Sequence, residues 1–254
     1  MTTVDLNSDL GEGYGPYKCG DDDAMLSIVT SANVACGFHA GDPEIMARIF
    51  RIAKEHGIAV GAHPSFPDLW GFGRRRIPYS TGEIERILAY QIGAAQALAA
   101  YSNHRITYVK PHGALANISE SEREVADAIA RAMKAVDPSL IFLTIACGQQ
   151  GKAAEAHGVA AVVEIYADRG YTEEGRLMPR GQPGALIEDS EEAADRVLAM
   201  VEAGAVITYA GTRLKTSIGS ISTHGDAPNA VAMARLVRAR LEAAGIKIAS
   251  FAAP

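Results

Sequence analysis

Short apolar and β-branched runs recur along the chain near residues 3–8, 31–37, 57–62, 106–110, 140–146, 160–166, 218–223 and 246–250. Runs of this length read as strands. Between most of them, apolar residues return at helical spacing. Residues 80–101 place Ile84, Ile87, Leu88, Ile92, Ala95 and Leu98 on one stripe, and residues 119–136 do the same with Val125, Ile129, Ala132, Met133 and Val136. Helix starts are marked by the capping-box pairs Ser80/Glu83 and Ser119/Glu122, and by Asp42 before Pro43. Stops are marked by Gly57 after Lys54-Glu55-His56 and by Gly245.

Strand and helix alternating in this way imply an α/β fold with parallel strands and right-handed crossovers. Seven or eight such strands either close into a barrel or form an open doubly wound sheet. No proline- or serine-rich linker interrupts the pattern, so residues 1–254 are expected to form one domain. Two irregular stretches, 64–79 and 168–188, are rich in Gly, Pro and Arg. Loops that long in a compact domain are usually functional.

Strand parity says where the polar residues point, because side chains two apart share a face. In residues 4–10, Val4, Leu6 and Leu10 face one way and Asp5, Asn7 and Asp9 the other. In the second run, Asn33 and His39 share the face opposite Val34, Cys36 and Phe38. Tyr108, Lys110 and His112 align, as do Glu164, Tyr166 and Asp168, and His224 aligns with Ser222 and Ser220. His63 ends the third strand. The ionisable residues therefore gather at C-terminal strand ends, opposite the packing face, where α/β barrels carry their active sites. One histidine at a strand end is more often a structural hydrogen-bonding group than a catalyst. Four of them (His39, His63, His112, His224) together with Asp9 and Glu164 favour a site. His56, His104 and His157 are read as cations near helix C-termini, and Asp226 has a competing reading as the N-cap of the last helix.

A net charge of −6 disfavours a nucleic-acid surface, and Arg74-Arg75-Arg76 alone is too short to make one. No apolar run approaches a membrane span. Three cysteines without a C-x-x-C pair, and no leader-like N-terminus, point to a reduced, cytoplasmic protein.

Six blocks, D-L-N-S-D-L-G-E-G, S-A-N-V-A-C-G-F-H-A-G-D, G-A-H-P-S-F-P-D-L-W-G-F-G-R-R, V-K-P-H-G-A-L, A-D-R-G-Y and H-G-D-A-P-N-A, run in order from about residue 4 to 245. Together they resemble the LamB/YcsF family of 5-oxoprolinase A subunits. The resemblance implies a (β/α) barrel of about seven parallel strands, akin to glycoside hydrolase and deacetylase barrels. It also implies ATP-dependent cleavage of 5-oxoproline to glutamate together with partner subunits B and C. By motif, it adds Glu12, Arg74, Arg169 and Asp226 to the site, and it includes Asp5, Asn7, Asp9, His39, His63, Lys110, His112, Asp168 and His224. Ala116 stands where the family pattern leads one to expect an aromatic residue, and Ser222-Thr223 where it suggests a cysteine.

Opening a lactam needs an activated water, an oxyanion partner and a proton for the departing nitrogen. Asp9 or Glu164 is the expected base, one of the four histidines the acid, and Lys110 and Arg169 the cations for an oxyanion, phosphate or carboxylate. Asn7, Asn33, Asp5, Glu12, Arg74, Asp168 and Asp226 are expected to bind substrate. Asp9, His39 and His63 are candidate ligands for a divalent metal. The chain lacks G-x-x-x-x-G-K-[ST], so ATP is expected to be handled by or with the partner subunits. Two alternatives remain: a metal-dependent deacetylase or other amidohydrolase on the same barrel, and a non-catalytic binding subunit.

Overall fold

The computed structural model describes residues 2–254. The first half of the chain runs β1 (Thr3–Leu10), α1 (Asp22–Leu26), β2 (Ser31–Ala35), α2 (Pro43–His56), β3 (Ala59–His63), α3 (Thr81–Tyr101) and β4 (Ile106–Val109). It continues with α4 (Gly113–Ser121), α5 (Arg123–Val136), β5 (Ile141–Ile145), α6 (Gln149–His157) and β6 (Ala161–Tyr166). The last part holds α7 (Ser190–Ala203), β7 (Ala205–Ile207), β8 (Arg213–Lys215), β9 (Ser220–Thr223), α8 (Ala230–Ala243) and β10 (Lys247–Ile248).

Strands β1 to β6 pair in sequence order, all parallel, and β9 joins β6 to β1. Ser220 lies opposite Asp5 on one side and Glu164 on the other, which closes a ring of seven parallel strands. The closed barrel is thus the outcome, and not the open sheet. β10 pairs only with Thr3 and Val4, at the start of β1.

The outward faces of the strands meet the helices in one apolar core. Val4, Leu6 and Leu10 of β1 are buried with Ile49 and Phe50 of α2 and Leu88 and Ile92 of α3. Each such side chain contributes roughly 1.5–3 kcal/mol on burial. Caps sit where the sequence placed them for α2 and α3. Asp42 Oδ1 accepts from the amides of Glu44 and Ile45, and Ser80 and Glu83 form the reciprocal box. Gly57 closes α2 in the left-handed conformation.

Several expectations are corrected. The periodic stretch 119–136 is two helices, broken at Glu122 in extended backbone. Ser119 is no cap: it lies inside α4 and donates to Ala116 O at 3.0 Å. Glu122 instead pairs with Arg76 at 2.6 Å. The antiparallel pair β7–β8 was not expected, since three-residue strands carry no readable period. Asn229, and not Asp226, is the N-cap of α8. His104 is not a surface cation. It is buried against Ile58 O at 2.9 Å, and desolvation lowers its pKa.

The inner face of the barrel is polar. Asp5, Asn7, Asp9, Asn33, Tyr108, Lys110, Glu164, Tyr166, Ser220 and Ser222 are all buried. Room for the Tyr108 ring comes from Gly61 of β3, where an added Cβ would fall inside that ring.

Candidate active site

The barrel interior is layered. At its base, Asp5 accepts from Thr30 and Ser31 at 2.6 Å each, and from Ser220. Burial pushes its carboxyl up to about 6, against the lowering effect of those hydroxyls. Asp5 therefore braces the floor and does not line the cavity above.

The middle layer centres on Lys110. Its Nζ lies 3.1 Å from Asp9 Oδ1 and 3.2 Å from Glu164 Oε2, and donates to Ser222 Oγ at 2.7 Å and Asn7 Oδ1 at 3.2 Å. Asn33 donates to Asn7 Oδ1 (2.7 Å) and Asp9 Oδ1 (2.8 Å), and itself accepts from Tyr108 OH at 2.7 Å. Tyr166 OH donates to Glu164 Oε1 at 3.0 Å. Every polar group of this layer thus has a partner, as a dry interior requires.

Charge is divided unequally there. Burial alone would raise Asp9, but His63 and Lys110 beside it hold the carboxyl well below its usual range. Burial raises Glu164 more than Lys110 lowers it. Desolvation opposes a charge on Lys110, yet the two carboxylates raise its pKa. The layer therefore holds an ionised Asp9 beside a protonated lysine.

The upper layer brings Glu12, His39, His63 and His112 together from the loops after β1 and β2, the end of β3 and the N-cap of α4. His39 Nε2 is 3.2 Å and His112 Nε2 3.5 Å from Glu12 Oε1. His63 Nδ1 donates to Lys110 O at 2.6 Å, since a carbonyl only accepts. Desolvation pushes His39 and His112 well below the usual histidine range and Glu12 well above the usual carboxyl range. The convergent set differs from the expected Asp9, His39 and His63. Glu12 and His112 join the two histidines, while Asp9 Oδ1 is engaged by Lys110 and Asn33.

A second group stands across the mouth. His224 Nδ1 meets Asp168 Oδ2 at 2.6 Å, and Tyr166 lies beside the imidazole with ring centroids 5.4 Å apart. His224 and Arg169 hold Asp168 below its ordinary range although burial opposes this. Arg74 pairs with Asp226 at 2.7 Å. Arg169 spends donors on Ala185 O (3.1 Å) and Met178 O (2.6 Å), so it organises the 168–188 loop as well as reaching the cavity.

These layers surround a cavity of about 450 Å³. Asp9, His63, Lys110, His112 and His224 line it with the buried Arg169, and the exposed Arg74, Arg176 and Arg180 stand at the rim. Glu164, Asn7, Asn33 and Asp5 support it from below without lining it. Ala116 lines the wall, where its small side chain leaves space. Sequence reasoning missed Glu120, Arg176 and Arg180. Glu120 accepts from Leu177 N at 3.0 Å, and burial pushes it up to about 7. The only signal for the two arginines was the Arg-rich composition of the loop that carries them.

Such a site offers an ionised carboxylate, a buried ammonium, an oriented imidazole and a cationic rim, which suits hydrolysis of a small anionic amide. The 5-oxoprolinase A subunit of Azorhizobium caulinodans is 64% identical over 99% of this chain and 100% of that protein. The same-named protein of Gluconobacter oxydans is 56% identical over 97% of each. The crystal structure of a lactam utilization protein from Thermus thermophilus superposes with a TM-score of 0.93 at 43% identity, covering 98% of this chain and 100% of that one. The catalytic domain of a peptidoglycan N-acetylglucosamine deacetylase from Eubacterium rectale shares the fold alone, with a TM-score of 0.54 at 10% identity, covering 99% of this chain and 89% of that one. The LamB/YcsF family model matches residues 4–254, and with full-length relatives at this identity the chain belongs to the LamB/YcsF family.

Proposed function

We propose that this chain is the hydrolytic subunit of an ATP-dependent 5-oxoprolinase, opening the lactam of 5-oxo-L-proline to L-glutamate together with subunits B and C. The observation that carries the reading is the placement of Asp9 and His224 on the wall of one arginine-rimmed cavity, each fixed by its own partner. Lys110 fixes the first and Asp168 the second.

In this reading Asp9 takes a proton from water as the water oxygen bonds to the lactam carbonyl carbon. The oxyanion that forms is met by Lys110. Collapse of the tetrahedral centre breaks the ring C–N bond, and the nitrogen takes its proton from His224, whose Nδ1 is held by Asp168. One water is consumed, and an amine and a carboxylate result. Rim arginines such as Arg180 suit the carboxylate already on the substrate.

No triphosphate-cradling loop is present in the sequence. The ATP-dependent step is assigned to the partner subunits, and the ring opening to this chain. The test is glutamate formation from 5-oxoproline, with and without ATP, by this chain alone and mixed with subunits B and C. The reading expects product only from the complete mixture with ATP. Absence of product from an assembled mixture refutes it.

A further inference from the structure

The floor and far wall of the cavity account for the acid–base chemistry, yet that chemistry leaves the cluster above Asp9 unused. Glu12, His39, His63 and His112 are all buried, and one ligand-type atom from each lies within 4.8 Å of the other three. Four ionisable side chains from four separate segments are costly to bring together in a dry place without something between them.

Three details identify that something. First, His63 Nε2 is buried without a well-formed hydrogen bond, its nearest acceptor being Asp9 Oδ1 at 3.3 Å. Second, the opposite nitrogen of this ring is fixed by a backbone carbonyl, and His112 Nδ1 faces Ser65 Oγ at 3.4 Å. Outer partners of this kind orient imidazoles whose other nitrogen binds a metal. Third, the His39 and His112 rings are packed from the side away from Glu12. Phe72 stands edge-on to His39 and His112 at 5.6 and 5.3 Å, and Gly73 packs directly behind both.

From this geometry we infer that Glu12, His39, His63 and His112 form a binding site for one divalent transition-metal ion of the Zn²⁺ type. Three imidazole nitrogens and one carboxylate oxygen are the donor set that such an ion takes, whereas Mg²⁺ and Ca²⁺ prefer oxygen alone. Ligand atoms around an ion with bonds of about 2.1 Å lie roughly 3–4 Å apart, so on binding the four side chains close in and the parallel His39 and His112 rings tilt until each nitrogen lone pair meets the ion. Asp9 Oδ1 stays outside the set because Lys110 and Asn33 occupy it, which leaves Oδ2 for the proton of the attacking water. His63 and His112 of this site also line the cavity of the proposed lactam chemistry, but the site does not depend on the identity of the substrate.

The test uses the full chain, produced without an affinity tag, stripped with chelator and titrated calorimetrically with Zn²⁺. Co²⁺ serves as a second probe, read by its visible absorption. The expected result is one ion per chain, a cobalt spectrum of nitrogen and oxygen ligation, and a raised melting temperature with Zn²⁺. His63→Ala and Glu12→Gln should weaken binding by at least ~100-fold, while His157→Ala, outside the cluster, should bind as the parent does. Glu12→Gln is nearly isosteric, so circular dichroism of that variant separates lost ligation from lost folding. Absence of stoichiometric binding to the folded parent overturns the inference, as does equal binding by the parent and a folded Glu12→Gln. Neither partner subunits nor turnover enter the measurement, so its failure leaves the lactam reading standing, and failure of that reading leaves the metal result intact.

Discussion

The imidazoles of His39 and His112 lie face to face, with centroids 3.8 Å apart and planes 7° from parallel, and both turn Nε2 toward the same oxygen of Glu12. Two stacked rings in a dry pocket resist double protonation, in accord with the low pKa that burial imposes on each. Their spacing rests on Gly73, whose φ is +63° and whose added Cβ would stand 2.8 Å from His39 Cβ and 2.9 Å from His112 Nδ1.

Gly73→Ala should therefore be destabilising on two counts, backbone strain in the left-handed region and displacement of the histidine pair. Together these amount to about 2–4 kcal/mol. Thermal and urea denaturation check the magnitude. A melting temperature within a degree of the parent would show that the loop relaxes freely.

Lys110→Met removes the one cation between Asp9 and Glu164 and leaves two buried carboxylates facing each other. The expected cost is about 3–5 kcal/mol. Adding Glu164→Gln should restore much of the stability, because the remaining acid then has an amide for a neighbour. Activity of the assembled enzyme should stay down by at least ~100-fold in both variants. Recovery of activity along with stability would remove Lys110 from the chemistry.

Asp168→Asn keeps the shape beside His224 but changes what the imidazole meets at Nδ1. In the assembled enzyme kcat should fall by roughly 10²–10⁴-fold with little change in KM. A rise in KM with kcat unchanged would make Asp168 a substrate contact instead.

Glu120 gives a pH signature of stability. Its folded value of about 7 lies above the 4.5 of an unperturbed glutamate, because burial disfavours the anion. A raised carboxyl contributes stability that is full below pH 4.5 and is lost as pH rises through 7. Glu120→Gln can still accept from Leu177 N and does not titrate. Its melting temperature should exceed the parent's above pH 7, by an amount worth at most about 3 kcal/mol, and converge with it in acid. Parallel melting curves from pH 4.5 to 8 would show that Glu120 titrates normally.

The barrel strands and their inward polar faces were legible because parity is a property of the backbone. Asp5, Asn7 and Asp9 had to share a face, and so did Tyr108 and Lys110. Parity says nothing about depth, which is why Asp5 and Glu164 read as site residues although they lie beneath the cavity. It also stops at the strand end. Glu12 sits in a glycine-rich loop, and only family resemblance marked it; its meeting with His39 depends on how that loop folds back. Glu120 was hidden by the unbroken helical period across Glu122. Arg176 and Arg180 lie in a loop with no period at all.

The ring closes through residues 5–8 and 220–223, more than two hundred positions apart along the chain. Asp9 therefore leaves the ribosome more than two hundred residues ahead of Ser222, which completes the shell around Lys110. Loop closure over such a distance is slow and comes late in folding. Until then Lys110 lacks its Ser222 acceptor and the first strand presents an open sheet edge. A protein built this way completes its pocket only when β9 docks, so a chain interrupted before β9 should lack His224 and with it the proton donor of the proposed ring opening.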